Sequence, residues 1–79
     1  MIHAYILLEM QSGDSEKPTK EMEKIKDVVK VSIVAGKFDI VVKVQVKHLE
    51  DLHNVTHKIQ LVSGVKKTST LIIEKEIEL

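Results

Sequence analysis

The chain contains no cysteine, no tryptophan and, since every basic residue is lysine, no arginine. Without cysteine there is no disulfide, no Cys-based zinc or iron–sulfur site, and no thiol nucleophile or redox relay. Without arginine the planar fork that reads guanine edges and clamps phosphates or carboxylates is missing. Twelve acidic residues balance the twelve lysines to a formal net charge of zero, so no strong positive field draws in nucleic acid or an anionic membrane. Phe38 and Tyr5 are single copies of their kind, too few for a platform on which bases stack. Apolar runs such as Tyr5–Leu8 and Leu71–Ile73 fall far short of a membrane span, and the N-terminal residues lack the basic flank and cleavage pattern of a signal peptide. A cytoplasmic protein, complete in itself, without direct nucleic-acid or membrane binding and without a cofactor, is expected.

What is present fits one small domain over residues 1–79, with one proline, three glycines, no internal repeat and no linker. A domain of this size buries little apolar surface, and with disulfides excluded, oligomerisation is the expected reinforcement. Lysine and glutamate dominate over arginine, glutamine and cysteine, a bias associated with thermophilic sources.

Ile2–Met10 is rich in strand formers and breaks at Gln11-Ser12-Gly13-Asp14, whose small polar residues and glycine favour a turn. Asp14 or Ser15 can cap a helix whose first turn tolerates Pro18, because the donor that proline lacks would be unpaired there anyway. Met22, Ile25 and Val28 then recur at three-residue spacing, a narrow apolar stripe on a charged helix. Val29, Val31, Ile33 and Ala35 alternate with Lys30, Ser32 and Val34, the period of a second strand that ends at Gly36. Across Gly36-Lys37-Phe38-Asp39, a third strand places Phe38, Ile40, Val42, Val44 and Val46 on one face and Asp39, Val41, Lys43 and Gln45 on the other. Leu49, Leu52, Val55, Thr56 and Ile59 follow helical spacing up to a stop at Ser63-Gly64, and Val65 onward returns to strand character.

The order strand, helix, strand, strand, helix, strand is the ferredoxin-like βαββαβ arrangement, an α+β fold with both helices on one face of a four-stranded antiparallel sheet. On the first strand His3, Tyr5 and Leu7 oppose Ile2, Ala4, Ile6 and Leu8, and both sets are largely apolar. The face away from the helices therefore also asks for cover, with a second subunit packed sheet to sheet as the natural lid. The last strand, read as up to fifteen residues from Val65 to Leu79, is longer than the first and is expected to cross onto that subunit.

Two segments carry a resemblance. Val34-Ala35-Gly36-Lys37-Phe38-Asp39-Ile40-Val41-Val42-Lys43-Val44 is similar to a signature of glycine, any residue, aromatic and aspartate, and Gly64-Val65-Lys66-Lys67-Thr68-Ser69-Thr70 to a Gly-Val-x-x-Thr-x-Thr segment. Both belong to the effector-binding RAM domain of the Lrp/AsnC transcriptional regulators, and the resemblance covers almost the whole chain. It implies a stand-alone module without the helix-turn-helix of full-length members, so that direct operator binding is lost. It also implies dimers with sheets face to face, assembly of dimers into rings, and amino acids or related small molecules held where dimers meet. A DNA-binding Lrp/AsnC homologue is the regulatory partner that such a module would act through.

The candidate ligand-binding residues are thus Gly36, Lys37, Phe38, Asp39, Thr68, Ser69 and Thr70. Gly36 permits a backbone path or a close ligand approach that a side chain would obstruct, or is simply a turn glycine. Asp39 can accept hydrogen bonds from a ligand ammonium group, or hold the loop through backbone amides. Thr68 and Thr70 share one face of their strand, with Ser69 on the other. Phe38 is expected at a subunit contact and Tyr5 in the sheet-to-sheet core. His53 and His57 lie one helical turn apart without the His-Glu-x-x-His pattern, and read as a solvated helix face rather than a metal site. Asn54-Val55-Thr56 matches a glycosylation sequon only by chance, in the middle of a helix. No hydroxyl has an evident base beside it, so an enzyme is not expected. The alternatives are a small dimeric ferredoxin-like catalyst of the cofactor-free monooxygenase type, which needs a polar cavity between helices and sheet, and a purely structural oligomerisation module.

Overall fold

The computed structural model describes residues 1–11 and 15–79. Its elements run β1 (Ile2–Met10), α1 (Glu16–Glu23), β2 (Val28–Ile33), β3 (Ile40–Val46), α2 (Leu49–Gln60) and β4 (Val65–Ile72), the expected βαββαβ order. The strands form a four-stranded sheet in the order β2-β3-β1-β4, every neighbouring pair antiparallel.

The period-2 alternation of β1 and β3 becomes a strict division of faces. Ala4, Ile6, Leu8 and Met10 of β1 and Ile40, Val42, Val44 and Val46 of β3 are buried toward the helices. Met22 of α1 and Leu52, Val55 and Ile59 of α2 close over them, and Ile25, Val28, Val31, Val62 and Val65 pack at the margin. Burying a side chain of this kind contributes roughly 1.5–3 kcal/mol relative to leaving it exposed, which makes this layer the main stabilising feature.

Three local readings are corrected. The stripe Met22, Ile25, Val28 is not one helix: α1 stops at Glu23, Ile25 lies in the following turn, and Val28 opens β2. The C-cap is Lys24, and Asp27, just before β2, has φ 75, a left-handed conformation that no helix running on to Val28 could contain. Its carbonyl accepts the Gln45 N–H at 3.1 Å and so joins the turn to β3.

Next, β2 carries an irregularity between Val28 and Lys30, which pair with the adjacent residues Val44 and Lys43. Val29, which the sequence alternation placed in line with Val31, is the extra residue of a bulge and is 52 % exposed, while Val28 packs against the core in its stead. Last, β4 is eight residues long, one fewer than β1, and not up to fifteen. Ile73 donates one more hydrogen bond to the His3 carbonyl at 2.9 Å, beyond which Ile77 and Leu79 are exposed.

Ser15 stands at the N-cap of α1 with Pro18 inside the first turn, as expected; the alternative cap Asp14 and most of the Gln11–Asp14 turn lie outside the described residues. Asp51 in the first turn of α2 accepts the His48 N–H at 3.3 Å and sits with Glu50 at the positive end of the helix dipole. Leu49, expected on the buried stripe, is 62 % exposed because it is the first residue of the helix and projects past the core.

Candidate functional site

The β2–β3 connection is six residues, Val34 to Asp39, and it is fixed at its base rather than along its length. The Val34 N–H donates to the Asp39 carbonyl at 2.9 Å, closing the loop. Asp39 then joins that loop to β1 twice. Its N–H donates to the Leu8 carbonyl at 2.9 Å, and its Oδ2 accepts the Met10 N–H at 2.7 Å. Of the two roles open to Asp39 in the sequence, the structural one is present, though the amide it holds is 29 residues distant instead of within its own loop.

Gly36, at the loop tip, has φ +135, where a side chain is strained, and a Cβ built there would meet nothing within 4 Å. The turn therefore requires glycine for its backbone path, and the space beside it is open. Lys37 is exposed and sets its Nζ 5.8 Å from the centroid of the half-buried Phe38 ring, a distance at which the ring face attracts the ammonium group.

The hydroxyl triplet arrives from β4. Leu8 pairs with Ile40 on one side and Thr68 on the other, so the base of the loop and Thr68 flank the same β1 residue. Two strand spacings separate them, about 10 Å. Thr70 pairs with Ile6 one pleat further from the loop, on the helix side like Thr68, whereas Ser69 pairs with Leu7 on the opposite face. The predicted residues are thus gathered at one end of the sheet, but not all on one surface. Gln60, which no sequence motif singled out, donates from Nε2 to Thr68 Oγ1 at 3.1 Å. Its position in the last turn of α2, eight residues before Thr68, is the only sequence signal that could have marked it.

Between helices and sheet the structure is solid: Ile6, Leu8, Ile40, Val42 and Val44 are all fully buried, closing the place where the catalytic alternative needs a polar cavity. His53 and His57 lie exposed on α2. Among the described residues no group of three or more His, Asp or Glu side chains converges to hold a metal ion, and no helix is long and apolar enough to cross a membrane.

The chain is a two-layer α+β domain whose glycine-tipped loop is tied to a hydroxyl-bearing edge through a central strand. Residues 3–78 match the model of the Lrp/AsnC ligand-binding domain, and the chain belongs to that family. It is 31 % identical over 74 residues to the HTH-type transcriptional regulator FL11 of Pyrococcus furiosus, covering 94 % of this chain and 49 % of the regulator. The chain thus spans about half the length of the curated regulators it matches. Among solved structures, TTHA0845 from Thermus thermophilus superposes with a TM-score of 0.90 at 28 % identity, each chain covered in full. A feast or famine regulatory protein from M. tuberculosis, complexed with L-methionine, shares the fold with a TM-score of 0.83 at 20 % identity, over all of this chain and 54 % of that one. A stretch of the homocitrate synthase of Sulfolobus acidocaldarius is 36 % identical over 59 residues, 75 % of this chain and 13 % of the enzyme.

Proposed function

We propose that this chain is the amino acid-sensing, self-associating part of a regulatory system, and that its effector binds at the Gly36–Asp39 loop together with Thr68, Ser69 and Thr70. The observation that carries this reading is the open space beside Gly36, next to a loop whose base is fixed by Asp39. Backbone amides in a glycine turn suit a carboxylate, and hydroxyls and a carboxylate side chain suit an ammonium group. Because Ser69 faces away from Thr68 and Thr70, a single protomer does not converge all seven residues on one ligand. A site shared between protomers reconciles their positions, and binding there stabilises the assembly by mass action. The L-methionine held by a protein of the same fold supports an amino acid as the class of effector.

Isothermal titration against the twenty amino acids, paired with light scattering, tests the proposal. Heat and a change of assembly with at least one of them are expected, and the change of assembly is expected to be lost in Asp39→Asn. Absence of heat and of any assembly change across the whole set would remove the amino acid reading.

The regulated partner is a DNA-binding Lrp/AsnC homologue in the reading that the FL11 similarity favours. The similarity to part of a homocitrate synthase supports a second reading, in which such a module reports to a biosynthetic enzyme. Co-purification from cell extract with and without the effector separates the two by the identity of the protein retained.

A further inference from the structure

At the end of the sheet opposite the Gly36 loop, the α1–β2 turn and α2 enclose a recess of about 170 Å³ lined by Lys26, Asp27, Asp51, Asn54, Val55 and Lys58. β2 runs its six residues from Val28 at the recess to Ile33 at the loop, roughly 17 Å at the usual strand rise. The recess is therefore separate from the loop site. Asp51, Asn54, Val55 and Lys58 follow the spacing of one face of α2. Lys26 and Asp27 come from a turn held in place by the bond between the Asp27 carbonyl and Gln45 N–H.

The lining has an unusual electrostatic form. Two lysines and two aspartates share one concavity, yet among the described residues none of the four is engaged in an ion pair. Among the described residues, the one hydrogen bond to their charged groups is the 3.3 Å contact from His48 N–H to Asp51. Val55, almost fully buried, provides an apolar floor, and Asn54 a group that both donates and accepts. Opposite charges held around a small space without neutralising one another leave both signs available to a ligand that carries both. A single anion would bring its charge against Asp27 and Asp51, and a single cation would bring its charge against Lys26 and Lys58.

We propose that this recess is a second small-molecule site, selective for a compact zwitterion with one carboxylate, one ammonium group and a short apolar stem, the class that includes the smaller α-amino acids. The lysines take the carboxylate, the aspartates the ammonium group, and Val55 the stem. This goes beyond the loop site and does not depend on it.

The test is a titration of the isotope-labelled full chain with each of the twenty amino acids, followed by backbone amide resonances, with acetate and methylammonium as single-charge controls. Expected are saturable shifts at Lys26, Asp27, Asn54 and Lys58 for small amino acids, with each control binding about tenfold or more weakly, the loss expected when a charge-assisted contact is missing. Asp27→Asn, which keeps a residue tolerant of the left-handed conformation, and Lys58→Ala should each weaken binding by a similar factor. Asp39→Asn should leave these shifts intact, so failure at the loop and failure at the recess are told apart. No saturable shift with any amino acid, equal binding of acetate and the amino acid, or shifts unchanged in both recess variants would overturn the proposal. So would shifts that follow protein concentration alone, since they would mark the recess as a contact between copies.

Discussion

The two faces of this sheet are built from the same alternating strands and end in different states. On the helix side, Ala4, Ile6 and Leu8 meet Ile40, Val42 and Val44, and all six are fully buried. On the other side, the register sets Tyr5 and Leu7 of β1 beside Val41 of β3 and Leu71 of β4, an apolar strip that is only partly covered. Lys30 and Ser32 of β2, Lys43 and Gln45 of β3, and Lys67 and Ser69 of β4 flank it. The Lys43 ammonium group rests 5.7 Å from the Tyr5 ring centroid, and His3 Nδ1 is shielded from solvent without a hydrogen-bond partner. The expectation that both faces are largely apolar holds along β1 but not across the neighbouring strands. One face is completed within the chain. The other is a narrower apolar strip with polar borders.

The sharpest break of that contrast is Ile6→Ala. It is expected to destabilise the fold by about 2–5 kcal/mol through lost burial and a residual cavity, measured by urea denaturation. The adjacent Leu7→Ala, on the half-covered face, should cost a dilute, dissociated chain less than about 1.5 kcal/mol. Equal losses at the two positions would mean that the faces are equivalent.

Asp39→Ala comes next, at about 1–3 kcal/mol, because it strands the part-buried Met10 amide without its charged acceptor. Gly36→Ala should cost a comparable roughly 1–3 kcal/mol from backbone strain alone, since nothing obstructs the added methyl group. Thermal melts of both variants check these values. Leu7→Lys should leave the circular dichroism of the chain intact while shifting its light-scattering mass toward monomer, and an unchanged mass would show that the open strip is not an assembly surface. The smallest effect is expected for Gln60→Ala, within about 0.5 kcal/mol, because its bond to Thr68 is solvent-exposed.

The layers were readable in the sequence wherever periodicity alone decides. β1, β3 and the buried stripe of α2 followed from spacing, and the order of elements then fixed the fold. What escaped depends on contacts distant in the chain. Val28 and Val29 are chemically alike, so nothing local shows which enters the core and which bulges out. The length of β4 is limited by the strand it pairs with, not by its own composition, which stays strand-like well past Ile72. At the candidate site the residues of the two motifs could be named, and the opposite orientations of Thr68 and Ser69 foreseen. The attachment of Asp39 to β1, the bond from Gln60 and the recess beside Asp27 could not, because each joins segments that only the folded chain brings together.

Border strands of a sheet invite further strands to add on. Here the two borders, β2 and β4, each carry an irregular register and exposed lysines: Lys30 on one, Lys66 and Lys67 on the other. Copies laid side by side along these rims would crowd like charges together and fall out of step at each bulge. Growth into an endless ribbon is thereby discouraged, and any association of copies is steered toward complexes of finite size.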